Sequence, residues 1–447
     1  MAAVLAPNVD ERDVVAADFA RVAAGLPGAK LAWLARLRRD ALDRFVASGL
    51  PTTRDEEWKY TNVGALARRP YTVTSTEAPM PAVAIDAFTF GLDAHRVVFV
   101  DGRFAPALSR IGALPEGCIV ASFADALSRD AELEAVLAAN AQHTIFSALN
   151  TAFMTDGFYV RLRRGVALDM PVHALFITTR DDVVTQARNV VIAEPGAQGL
   201  VIEHHVAAGA TSYFTNAVTQ LLPQPNSALT HVKLQQEGVR AYHVAGVHAT
   251  QAAASRFASH SIALGAALSR ADITTAFEAK GCEAELTGLY LAGGRQHVDH
   301  HTRIDHLKPH GTSREYYKGV LDDGARGVFN GKIVVHPDAQ KTDAHLANHN
   351  LLLSKSAEID TKPELRIDAD DVKCAHGATV GQLDEAALFY LRSRAIDAGT
   401  ARALLTYAFA HDVIERIRVA PLRGALEQVL FARLPHGDRL RELDRPT

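Results

Sequence analysis

Cys374 and His376 stand two residues apart in the run Val372, Lys373, Cys374, Ala375, His376, Gly377, Ala378, Thr379, Val380, Gly381. In an extended segment side chains alternate, so both project to one side and could share a metal ion. Thiolate and neutral imidazole suit iron, zinc, copper and iron–sulfur chemistry, but two ligands do not close a site, and a second chain is one source of the others. The competing reading is structural, with Cys374 as buried packing and His376 as a hydrogen-bonded turn residue beside Gly377.

A second concentration of ligand-type residues holds His297, His300, His301, His306, His310, His336, His345 and His349. A metallohydrolase needs several of these on one metal, with an open position and a carboxylate base. The H-E-x-x-H arrangement is absent. On a strand, HVDHHTRIDH divides its histidines, with His297, Asp299 and His301 on one face and His300 and Thr302 on the other. The alternative is a set of hydrogen-bonded ladder histidines whose imidazoles are oriented by Asp299, Asp305 and Asp343.

Other chemistries lack their motifs. The chain has no GxxxxGK[ST] phosphate loop, no dinucleotide fingerprint around Gly293, Gly294, Gly324 and Gly327, and no G-x-S-x-G elbow. Its three cysteines, Cys118, Cys282 and Cys374, are too few and too far apart for a disulfide framework, which fits a reducing cytoplasm. A net charge of −4, with no long basic run, argues against a general polyanion binder, and the apolar stretches fall short of a membrane span. MAAVLAPNVDERD becomes acidic too early for a secretory signal.

The elements that must position these residues fall into three stretches of the 447-residue chain. Leu34, Leu37, Leu42 and Phe45 recur at helical spacing, with Arg36, Arg38, Arg39, Asp40, Asp43 and Arg44 as a solvated face. Thr53 and Glu56 are spaced as a capping box before Trp58, which reads as a packing anchor. Residues 71–90, with Pro70, Pro79 and Pro81, read as a linker; Arg96–Phe104 reads as a strand and an Asp101-Gly102 turn, Ala124–Ala138 as helix, and 143–155 as helix or loop. From Phe158 onward, short β-branched or aromatic runs replace the helical period: Val172–Thr178, Arg188–Ala193, Gly199–His205, Ser212–Leu221, Ala228–Gln235 and Leu286–Ala292. A glycine followed by apolar residues recurs at Gly288, Gly319 and Gly331, as stacked rungs of a parallel β-helix would show. After Gly381 two helices are expected, at 384–394 and 400–418. The second is apolar on two faces, with Leu405, Phe409, Val413 and Ile417 on one and Leu404, Tyr407 and Ile414 on the other. One face can pack against the helix 384–394, and the other is covered by residues Leu422 to Leu434 or by a partner.

KCAHGATVG, LFYLRSRAI at 388–396 and LLTYAFAHDVIERI at 404–417 resemble the C-terminal signature of the SufB/SufD family of iron–sulfur cluster assembly proteins. RDEEWKYTNV at 54–63, VFVDGRF at 98–104, the long run at 287–354 and AEIDTKPELRIDADDVKC at 357–374 extend the resemblance over most of the chain. Gly377 favours the SufD form, since SufB proteins typically place Glu before the Ala-Thr pair. The resemblance implies a mainly β fold, a right-handed parallel β-helix core at 156–381 between a mainly helical N-terminal region at 1–155 and a C-terminal helical ATPase-docking domain at 382–447. It implies a noncatalytic cytoplasmic scaffold subunit acting with a SufB-like paralogue and a SufC-like ATPase, supporting iron acquisition and cluster formation at the SufB–SufD interface. His376, with Cys374 beside it, becomes a candidate transient ligand, and Arg392, Tyr407 and Ile414 become candidate ATPase contacts. Iron or a transient iron–sulfur cluster belongs to the complex, reduced flavin is a further candidate there, and no group is expected to be tightly bound to the isolated chain. A His-rich β-helix metalloenzyme and a structural homodimer are the alternatives.

Overall fold

Strands with apolar residues on both faces need cover on both sides, and a stack of parallel rungs closed by helices provides it. The computed structural model describes residues 10–69, 71–74, 79–140, 144–434 and 437. Residues 1–9 of the N-terminal run, Pro70 and residues 75–78 of the linker, and residue 143 lie outside the described residues. From Phe158 to Gly381 the chain forms a parallel β-solenoid. Two ten-stranded sheets appear among the described residues, and consecutive strands alternate between them. His297 thus lies between Leu268 and Arg326 of neighbouring rungs, and Thr312 between Glu283 and Asp343. The inner faces share one apolar cluster, with Val201, Leu229, Phe257 and Leu286 from one sheet and Ala217, Val247, Ile273 and Ile333 from the other.

Glycine recurrence indicated rungs but misplaced their register. Gly288 pairs with Tyr317 and Gly319 with Tyr290, so the two glycines are not equivalent positions. Each glycine makes room for a ring: a Cβ on Gly288 would lie 2.1 Å from Tyr317, and one on Gly319 2.1 Å from Tyr290. Gly331 belongs to the strand Arg326–Val335 of the other sheet.

The sheets also take strands from the N-terminal portion. His95–Val100 runs parallel to Val172–Thr178, and Cys118–Ser122 antiparallel to Phe158–Leu162. The segment 144–153 is a helix, Ile145–Phe153, with Thr144 accepting from the Ser147 amide. It packs on Ala32–Ser48, where Leu34, Ala41 and Phe45 are buried. Arg38, expected in solvent, is buried too. Its guanidinium donates to the carbonyls of Ala152 and Met154 at the end of the facing helix and to that of Pro27 ahead of its own helix. The turn before Trp58 is closed by Thr52, whose amide and hydroxyl donate to Asp55, instead of by Thr53 and Glu56. The expected helix at 124–138 is two short ones, Phe123–Ala126 and Leu133–Asn140.

Among the described residues three helices follow the solenoid: Glu385–Ser393, Ala398–Ile414 and Ala420–Arg433. Leu422, Leu426 and Leu430 of the third join Val413, Ile414 and Ile417 against Leu234, Leu289 and Val320 on the outer face of one sheet. Tyr316 and Lys318 fasten this layer by reaching Asp412 at 2.6 and 2.7 Å. No helix among the described residues is long and apolar enough to cross a membrane.

Candidate functional site

The solenoid ends on two long strands, Glu358–Ile367 and Lys373–Gly381, each at the edge of its sheet. Each therefore presents a row of backbone donors and acceptors that no further rung takes up. Register puts Cys374 beside Ala344 and His376 beside Leu346. Ala344 and Leu346 are inner-face residues, so Cys374 and His376 share the inner side of the last rung, where the stack opens. Cys374 is half-buried against the inner apolar cluster, and burial pushes its thiol up. His376 is exposed. The strand thus carries a thiol and an imidazole, two ligand-type groups, on one side of the open end of the stack.

The three residues expected to meet an ATPase do not form one surface. Ile414 is fully buried against the sheet, so it cannot meet a partner directly. Tyr407 is half-buried, with its ring stacked on Phe431 at 4.8 Å. These positions are internal because the helix Ala420–Arg433 supplies the cover that the apolar face required. Arg392 is exposed on the first helix, and its neighbours Phe389 and Tyr390 are 74% and 55% exposed. The aromatic pair was missed because a helix pattern read alone assigns such residues to a core.

The histidine segment divides as its alternation predicts. Asp299 lies 3.1 Å from His301 and 3.0 Å from Arg270, and it accepts from Thr61, which also contacts His297 at 2.8 Å. Burial opposes ionisation of Asp299, but His301 and Arg270 hold its carboxyl well below the usual range. Burial likewise works against the His301 cation, yet Asp299 holds it up to about 9. Arg270 also sits 3.7 Å from the Trp58 ring centroid, so this group ties the N-terminal portion to the solenoid, and Trp58 is the expected packing anchor. His300 points inward to Ser261 at 3.1 Å, and burial lowers it to about 4. His345 reaches Asp343 at 3.0 Å, and His336 reaches Asp305 at 3.3 Å. Asp299, Asp305 and Asp343 thus partner imidazoles, as the ladder reading expected.

A polar group deeper in the solenoid escaped the sequence reading. Glu203, fully enclosed, lies 2.8 Å from His205, 3.1 Å from His231 and 3.2 Å from Lys233, and accepts from Thr219 at 2.6 Å. Burial opposes its charge, but Lys233 and the two imidazoles keep its carboxyl well below the usual range. Burial and Lys233 together lower His205 to about 4. Glu237 lies 2.7 Å from His243, and His205, Glu237 and His243 lie together. Polar residues at every second position of VIEHHVA and THVKLQQE carry the signal, but it becomes readable only when the inner face is known.

The chain matches a family model described as "SUF system FeS cluster assembly, SufBD core domain" over residues 176–409, and one described as "SufBD protein N-terminal region" over 18–174. It is 34% identical to an iron–sulfur cluster assembly SufBD family protein of Synechocystis sp., covering 90% of this chain and 91% of that one. It is also 34% identical to the iron–sulfur cluster assembly protein SufD of Escherichia coli, over 89% of this chain and 92% of the relative. Against SufD of Bacillus subtilis the identity is 27%, over 64% and 65%.

Proposed function

This chain belongs to the SufB/SufD family of the SUF iron–sulfur cluster assembly system and is SufD-like, and from that premise we propose that it is a noncatalytic scaffold subunit whose last rung joins a SufB-like paralogue. The observation that carries this reading is the open terminal rung, where two edge strands are left without a further rung and one of them, Lys373–Gly381, carries Cys374 and His376 on one side. A second β-solenoid abutting this end would satisfy the unpaired edges and add the ligands that two residues lack. Iron or the nascent cluster is cargo here. His376 donates a transient ligand, Cys374 assists, and reduced flavin, where it takes part, belongs to the complex. The setting is the cytoplasm.

A SufC-like ATPase docks on the helix Glu385–Ser393, through Phe389, Tyr390 and Arg392. Exposed aromatics beside a guanidinium are the composition of an interface anchor. Tyr407 and Ile414 lie away from this surface, packed against the helix Ala420–Arg433 and the sheet. Two variants of the reconstituted complex separate the two roles under anaerobic conditions, with iron, a sulfide donor and ATP. His376→Ala is expected to keep ATPase binding and lose cluster yield. Tyr390→Ala is expected to weaken ATPase binding by roughly thirty-fold, as loss of an interface anchor does. Normal cluster yield from His376→Ala removes the ligand role, and unchanged affinity of a folded Tyr390→Ala removes the docking surface.

A further inference from the structure

One group of side chains away from the terminal rung has the composition of a metal centre. His205, Glu237 and His243 each bring a ligand-type atom, all within 4.8 Å of one another, and all three are buried. His205 comes from the strand Gln198–Ala207, Glu237 follows the strand Ala228–Gln236, and His243 lies in the strand Tyr242–Gln251 of the opposite sheet. Rung stacking, and no local motif, brings them together. Nε2 of His243 has no hydrogen-bond partner although the ring is buried, which is a costly state for an imidazole nitrogen.

We propose that the solenoid interior binds one divalent transition-metal ion through His205, Glu237 and His243. Two imidazoles and one carboxylate are borderline donors that suit Fe(II), Zn(II) or Mn(II), and they do not suit a cation that takes oxygen alone. With metal–ligand bonds of about 2.0–2.1 Å, the ligand atoms of a tetrahedral site stand roughly 3.3 Å apart, so short side-chain rotations from the present separation close the site. The surroundings hold the ligands in place. Glu237 accepts from Thr215 at 2.7 Å and Gln235 at 3.0 Å, and His205 is oriented by Glu203 at 2.8 Å. The charge count agrees with a cation, because Lys233 pairs with Glu203 at 3.2 Å and leaves the Glu237 carboxylate to the ion. The site is enclosed, so the ion enters as the chain folds.

The full chain is produced in medium supplemented with Fe(II) or Zn(II), purified anaerobically without chelator, and its metal counted by mass spectrometry. About one equivalent is expected in the wild type and in the Cys374→Ser, His376→Ala double variant, with loss in His243→Gln and in Glu237→Gln. Keeping metal in the terminal-rung variant separates this site from the proposed scaffold role, so either can fail alone. Circular dichroism checks each fold. Should the interior variants not fold, X-ray absorption of the wild-type metal decides: nitrogen and oxygen neighbours alone support the site, and a sulfur neighbour overturns it. A metal-free wild type, or equal metal in a folded His243→Gln, also overturns it.

Discussion

Glu315 lies on the inner face of the strand Thr312–Leu321 and accepts from the Thr302 hydroxyl at 2.6 Å. Burial pushes its carboxyl from 4.5 up to about 8, so the folded chain keeps a proton there that the unfolded chain releases. Folding is therefore helped below pH 4.5, and the benefit fades as pH rises through about 8, at up to about 1.4 kcal/mol per pH unit. Glu315→Gln keeps the size and an acceptor for Thr302 but removes the titration. Urea unfolding at three pH values across that window is expected to show a shallower decline for the variant, with higher stability at the alkaline end. An unchanged slope would assign the proton elsewhere. His376 is the opposite kind of residue. It is exposed, so its removal leaves the isolated fold near its original stability, within about 0.5 kcal/mol, and an assembly defect in that variant is chemical in origin.

At the scale of the element, the rungs are keyed by rings packed over glycines. Tyr290 and Tyr317 are fully buried, each over the glycine of the neighbouring rung. Tyr290 also donates to Asn350 at 2.5 Å and so spans to a further rung. Gly319→Ala forces this ring or the strand to move and is expected to cost about 1–3 kcal/mol in chemical denaturation. Gly377→Ala on the terminal strand is the control, since nothing lies within 4 Å of its added Cβ. A similar loss for both would mean that the ring contacts do not set the register. The last rung lacks a successor to key into, which is why its inner face is exposed and free to meet another chain.

The whole molecule is a solenoid rich in buried histidine, with the N-terminal portion tied to an outer sheet face through Glu57 and Thr61. His205, His260, His300 and His306 are lowered from 6.5 to about 4 and His173 to about 3, in each case first by burial. These five stay neutral when folded but take up protons when unfolded, so stability falls as pH drops below 6.5. Glu315 works in the other direction there and is outnumbered. Above pH 6.5, Glu315 and His301, the latter held up to about 9 by Asp299 against burial, both lose their contribution. The thermal midpoint is therefore expected to peak near pH 6.5, with the steeper fall on the acid side. A plateau extending to pH 5 would contradict the burial of these imidazoles. Asp299 is the centre of the group that ties the N-terminal portion to the solenoid, holding Arg270, His301 and Thr61.

Alternation was legible before any fold was known. It placed Cys374 and His376 on one side and separated His297, Asp299 and His301 from His300, because side-chain direction in a strand depends only on counting by two, while β-branched and aromatic runs marked six strands between Val172 and Ala292. The family motifs added the solenoid and the assembly system, which composition could not. Register, burial and convergence came from the tertiary structure. Which glycine met which tyrosine depended on neighbouring rungs, whose residues are far apart in sequence and adjacent in space. Ile414 moved from a presumed surface to the core because the helix Ala420–Arg433 covers it, and Arg38 moved inward because carbonyls from another helix required donors. His205, Glu237 and His243 share no motif or spacing, and they form a group only because a coiled chain returns to the same place once per rung.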